Sequence, residues 1–261
     1  MSDELSLTDL GEISDRFEHL ILEALKEKYP QNFFEREVPF LPVLRWNTRT
    51  LLGRYIESNS YPNDRAAKFL FNVIDFKLQL YYILESDVGL YNHLYEDELA
   101  KLGLDSSNPT PRLLLRRLSF DQNLIGKSRI LWERLMNLIY YLEEGKELDG
   151  KSKKGKFFRW LRESADRKWL FMAPYEEVLV SYDQQFRTPE FHKGSVLRAE
   201  LLGQKSIDVN DLLDLVNRAS NVILENLTSI LEGRWPAVFT DVHALEGQPY
   251  TTDPKYLEQA E

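Results

Sequence analysis

Apolar residues three and four apart, in one long segment after another, constrain this chain more than any other feature. Leu7, Leu10, Ile13, Phe17, Leu20, Ile21 and Leu25 line one face of a helix over 7–29, and Pro30 stops it. The spacing returns over 64–85, through Phe69, Leu70, Val73, Ile74, Phe76 and Leu80. That helix is apolar on more than one side, which predicts a central place in a bundle. It returns in Ile130, Leu131, Leu135, Met136, Leu138, Ile139 and Leu142, and last in Leu212, Val216, Ala219, Ile223, Leu227 and Leu231. No stretch alternates apolar with polar residues as a half-buried strand would. The expected fold class is all-α, a helical bundle with an N-terminal helical elaboration.

Turn chemistry sets the joints. Asn47 or Thr48 is placed to cap a short helix through Ile56, and Pro39 and Pro42 make 31–46 an extended strap. A shorter helix fits 89–102. The run from Asp105 to Pro111 is a clear turn, with Thr110 as cap and Pro111 in the first helical position, where a missing N–H costs nothing. The helix that follows extends to about Glu144, with a kink expected near Gly126. The basic, glycine-bearing link over 145–156 reads as a flexible loop. Helices over 157–169, 174–186, 190–202 and 209–232 complete the series. The expected organisation is an N-terminal helical region over 1–105, a bundle over 106–233, and a strap or frayed tail over 234–261.

Several chemistries drop out at once. The chain has no cysteine, which excludes disulfides, thiol nucleophiles and Cys-ligated zinc or iron–sulfur sites. Its four histidines, His19, His93, His192 and His243, are far apart and form no metal-binding pair on one helix, so no metal and no cofactor is expected. Gly126-Lys127-Ser128 ends like a phosphate-binding loop, yet Asp121 stands where that loop needs its first glycine and the context is helical. No apolar run approaches the roughly 20 residues of a membrane span. The acidic N-terminus has no leader pattern, so the expected location is cytoplasmic, away from membranes.

The net charge of −9 argues against nucleic-acid binding by the whole surface. The stretch 151–168 is different, with eight basic residues against two acidic ones. Lys153, Lys154, Lys156 and Arg159 are its candidate phosphate contacts, and Phe157, Phe158 and Trp160 lie among them. Those aromatics also keep helical spacing, which suits core packing as well as base stacking.

The candidate catalytic pair is Arg187 and His192. On an unbroken α-helix, residues five apart point about 140° from each other. Pro189 disfavours helical geometry at Thr188 and opens a new helix, with Thr188 as its cap, freeing the two side chains to converge. A guanidinium to hold phosphate and an imidazole to accept a proton suit phosphodiester cleavage without a metal.

Arg-x4–6-His between late helices, with a long helix behind it, resembles the HEPN superfamily of helical bundles. The resemblance covers roughly 110–233, with the segment from Gln122 to Met136 as an earlier bundle helix. It implies a metal-independent endoribonuclease or RNA-binding protein of defence or toxin–antitoxin type. Arg187 would bind phosphate, His192 would act as general base, and Lys193 and Arg198 would add charge. A homodimer is implied by the resemblance alone. Thr188 departs from the family pattern, which carries Asn, Asp or His directly after the arginine. The alternative is a non-catalytic helical scaffold that binds a protein partner through apolar and aromatic faces.

Overall fold

The computed structural model is all-α. It describes residues 5–28, 44, 47–58, 63–84, 111–165, 167–188, 190–191 and 196–202, and eleven positions within 212–231. No strand occurs among them. The helices are α1 (Leu7–Lys28), α2 (Thr48–Ser58), α3 (Asn63–Leu84), α4 (Pro111–Glu144), α5 (Lys153–Glu163), α6 (Tyr175–Tyr182) and α7 (Val196–Leu201). A 3-10 turn spans Arg167–Met172, and a π turn, Asp183–Arg187, continues α6. The described residues of 212–231 are all helical, and Leu212, Val216, Ala219, Ile223, Leu227 and Leu231 are buried, the spacing expected of the closing helix.

Local chemistry explains the ends. Ser6 caps α1 in a reciprocal box: its hydroxyl accepts from the Asp9 N–H (3.2 Å), and the Asp9 carboxylate accepts from the Ser6 N–H (2.8 Å). Those Ser6 donors hold the Asp9 carboxyl below its ordinary pKa. Of the two candidate caps of α2, Asn47 does the work, accepting from the Thr50 N–H at 2.9 Å. Gly145 ends α4 at φ +66°, and a Cβ there would sit 2.9 Å from the Arg65 guanidinium carbon.

The α3–α4 pair forms the spine. Phe69, Leu70, Val73, Phe76, Leu80 and Ile83 of α3 are buried together with Leu131, Trp132, Leu135, Met136 and Ile139 of α4. Each such side chain, once fully buried, contributes about 1.5–3 kcal/mol before entropy is counted. Helices α1 and α2 lie on α3, with the rings of Tyr55 and Phe69 stacked 4.2 Å apart. On the other side α5 packs on α4, where Trp160 donates to Glu144 (2.7 Å) and meets Tyr140 edge-on. One apolar cluster runs continuously from Leu10 to Leu231.

A charged knot sits where α1, α2 and α3 meet. Lys77 is 1% exposed, and its ammonium lies 2.5 Å from Glu18 Oε1 and 3.1 Å from Thr48 Oγ1. Glu18 also accepts from the Thr48 N–H at 2.9 Å and from its hydroxyl. Burial lowers the Lys77 pKa from its ordinary 10.5, while Glu18 pulls it the other way.

Three sequence expectations change. Helix α4 is one continuous helix of 34 residues through Gly126. The basic loop ends at Ser152, so Lys153, Lys154 and Lys156 stand on a helix. That helix stops at Glu163, because Ser164 leaves helical geometry at φ −137°, and Trp169 belongs to the separate 3-10 turn. The strap at 31–46, apart from Leu44, lies outside the described residues, as do the helix at 89–102 and the tail after 233.

Candidate nucleic-acid interface

The segment around Arg187 is built on one stripe of α4. Gln122, Ile125, Gly126 and Arg129 recur at helical spacing, and each holds part of the chain between 182 and 191. Gln122 donates to Glu190 (2.9 Å), and the carbonyl of Ile125 accepts from the Tyr182 hydroxyl. The ring of Phe191 lies 3.6 Å from where a Cβ on Gly126 would stand. Arg129 faces Asp183, Nε to Oδ1, at 3.8 Å. Glu190 is buried, and its second oxygen accepts from the Leu197 N–H (3.3 Å) in the first turn of α7.

Backbone geometry here departs from the expected break. Thr188 stays helical at φ −65° and ψ −44°, and its N–H bonds to the Asp183 carbonyl five residues back. It is therefore not an N-cap. One extra residue per turn makes positions five apart stand where positions four apart stand on an α-helix, offset by about 40°. Tyr182 and Arg187 are such a pair. Burial raises the Tyr182 pKa, Asp183 adds to the rise, and the charges of Arg129 and Arg187 oppose it. The π turn thus brings Arg187 into line with Tyr182, while the convergence of Arg187 with His192 expected from a break at Pro189 lies outside the described residues. His192 and Lys193 lie outside the described residues, as does Pro189.

The charges around Asp183 are unevenly satisfied. Lys154 of α5 donates to Asp183 Oδ2. Arg129 holds Glu133 through Nη2 (3.1 Å), but its Nε and Nη1, and Asp183 Oδ1, are buried without a hydrogen bond. Arg187 is half-buried and makes no hydrogen bond or ion pair among the described residues. A helix-end salt bridge, the ordinary use of such an arginine, is therefore absent among those residues.

The basic stretch divides once it is folded. Lys154 is committed to Asp183, and Lys156 donates to the Asp149 carbonyl at 2.9 Å, closing the 145–152 loop. Arg162 pairs with Glu176, and Lys168 with Glu143. Lys153 is half-buried and Arg159 exposed, and neither forms an ion pair among the described residues. Arg198 is exposed on α7. Phe157, Phe158 and Trp160 are buried in the core, which removes them as a stacking platform. Of the remaining histidines, His19 is exposed on α1, and His93 and His243 lie outside the described residues.

Gly126-Lys127-Ser128 has a structural role throughout. Gly126 seats Phe191, Lys127 donates to the Tyr82 carbonyl in the last turn of α3 (2.8 Å), and Ser128 is buried. Among the described residues, no cluster of three or more His, Asp or Glu forms a metal site, and no helix is long and apolar enough to cross a membrane. Arg129, Tyr182, Asp183 and Glu190 escaped the sequence analysis. Only the i,i+4 spacing of Arg129 and Glu133 was visible, and it says nothing of Asp183.

Comparison of the chain with family models, curated proteins and solved structures finds no match.

Proposed function

We propose that this chain is a HEPN-like RNA-binding protein with metal-independent endoribonuclease activity, Arg187 holding the phosphate and His192 taking the 2′-hydroxyl proton. The observation that carries the reading is Arg187 itself. It is a half-buried guanidinium with no anionic partner among the described residues, beside a carboxylate that Arg129 and Lys154 already share. Such a cation is poised for an anion from outside the chain, and a phosphodiester supplies one. The π turn supports the reading, since these turns are frequent at functional sites and are costly to keep elsewhere. His192 enters through the five-residue spacing and the family resemblance.

The test is cleavage of single-stranded RNAs of varied sequence in EDTA by the wild type, Arg187→Ala and His192→Ala, with thermal unfolding as a control. Cleavage by the wild type alone is expected, with both variants down by about two orders of magnitude or more. Arg187 has no partner to lose among the described residues, so its removal should shift stability by less than about 0.5 kcal/mol. Equal cleavage by all three proteins removes the catalytic assignment. No cleavage and no RNA binding by any of them replaces it with the scaffold reading.

A further inference from the structure

A second site lies on the far edge of the α3–α4 spine. Lys68, Phe71, Asn72 and Asp75 of α3 and Ile130, Glu133, Arg134 and Asn137 of α4 each follow the spacing i, i+3, i+4, i+7, so two stripes face each other across a groove. Glu147 and Lys153 close one end, leaving a cavity of about 310 Å³. That volume is at the lower end for small-molecule sites, which run from about 300 to 1,000 Å³.

The floor has a defined polarity. The Leu148 N–H, which can only donate, meets the Asn137 side chain at 2.8 Å, so the atom there is the carbonyl oxygen. The Asn137 amide nitrogen must then face Asn72, to which it donates at 2.8 Å, and the atom of Asn72 that accepts is its oxygen. Asn72 is left with its NH2 group. It is 8% exposed, its nitrogen has no partner among the described residues, and it lines the cavity. A ligand must therefore offer this floor an acceptor.

The walls narrow the chemistry further. Asp75 is neutralised by Arg134 (2.9 Å) and Glu133 by Arg129 (3.1 Å). Lys68, Lys153 and Glu147 form no ion pair among the described residues, so the uncommitted charge is one positive unit. Phe71 and Ile130 are 44% and 45% exposed at the rim, a flat apolar flank in an otherwise polar site. Acceptor at the floor, flat apolar body at the flank and anion toward the lysines describe a nucleotide. A carbonyl or a ring nitrogen of a base can accept from the Asn72 amide.

We infer that the α3–α4 groove binds a nucleotide, with a base acceptor on the Asn72 amide, the ring against Phe71 and the phosphate near Lys68 and Lys153. The choice of ligand rests on the RNA reading above. It also gives that reading a direction: Lys153 faces this groove, and its neighbour Lys154 holds Asp183 four residues from Arg187. A strand crossing the start of α5 would then be read at one side and held at the other.

Calorimetric titration of the full chain with UMP, AMP and a five-residue oligouridylate tests this. UMP, AMP and the oligomer all bind, since each base carries an acceptor for the Asn72 amide. Asn72→Asp, which keeps the oxygen that Asn137 needs but removes the donor, weakens nucleotide binding about tenfold. Phe71→Ala, at an exposed rim position that the fold does not need, weakens it by a similar factor. Binding of UMP that competes with the oligomer assigns the site to free nucleotide, and binding of the oligomer alone assigns it to an RNA base. The inference is overturned if none of the three ligands binds, or if both variants bind like the wild type. The two assignments fail separately. Arg187→Ala retains UMP binding, and a protein that binds UMP but cleaves no RNA loses only its nuclease assignment.

Discussion

Two clusters of buried charge in this molecule use the same residue types to different ends. At the junction of α1, α2 and α3, one oxygen of Glu18 receives the Lys77 ammonium, the Thr48 N–H and the Thr48 hydroxyl. At the π turn, Asp183 is approached by Arg129 and Lys154, but buried N–H groups of Arg129 and one oxygen of Asp183 make no hydrogen bond, and Arg187, one turn on, has no partner among the described residues. In the first cluster no buried side-chain atom is left without a hydrogen bond, and it serves to fix how three helices meet. The second retains capacity, which is a cost to stability unless something else uses it. Completeness of satisfaction, more than charge or burial, separates a structural cluster from a candidate site.

The largest effect should come from breaking the complete cluster. Glu18→Gln strands a lysine that is 1% exposed, and unfolding in urea should show a loss of about 3–5 kcal/mol. The double variant Glu18→Gln/Lys77→Met should recover most of it, because an apolar side chain needs no counter-charge there. A double variant as weak as the single one would mean that packing, not charge pairing, governs the junction.

Asp183→Asn probes the incomplete cluster, and the expected loss is smaller, about 2 kcal/mol, because Arg129 keeps Glu133 as a partner and Lys154 is partly exposed. The same change removes the only carboxylate shared by those cations, so single-stranded RNA should bind more tightly. Stability loss equal to that of Glu18→Gln, or weaker RNA binding, would erase the distinction between the two clusters.

The smallest effect is one of pH. Burial lowers the folded-state pKa of Lys77 below 10.5, so between that lowered value and 10.5 the unfolded chain binds the proton more readily than the folded one. The Lys77 contribution to stability therefore rises with pH across that window. Compared with Lys77→Met, the wild type should gain ground as pH climbs from 7 toward 10 in chemical denaturation. A constant gap between the two proteins would show that Lys77 does not titrate differently on folding.

Much of the architecture was legible because its causes are local. Leu10, Phe17, Ile21 and Leu25 share a face of α1 by spacing alone, Asn47 caps α2 within one turn, and Pro111 opens α4 where its missing N–H is harmless. The errors were also local, though small: Ser164, and not a proline or glycine, ends α5, and nothing in its side chain announces it. The candidate site was legible only in part. Arg187 was singled out by its spacing from His192, and the helix break expected at Thr188 is absent: a π turn before it adds one residue without interrupting the helix. Such an insertion has no composition of its own. Its partners on α4, from Gln122 to Arg129, hold it in place, and they lie more than fifty residues away.

By itself, then, the sequence determined that this chain is a set of amphipathic helices, where most of them begin, and which faces they bury. Those properties follow from periodicity and capping, which act within a turn or two. Tertiary structure decided which charges remain available. Lys77 found Glu18 across 59 positions, and Lys154 found Asp183 across 29. Lys154 and Lys156 were drawn into the protein's own contacts, while Arg187, Lys153 and the Asn72 amide kept open valences. A side chain's type states what it is able to bind, and only its folded neighbours decide whether that capacity is already taken.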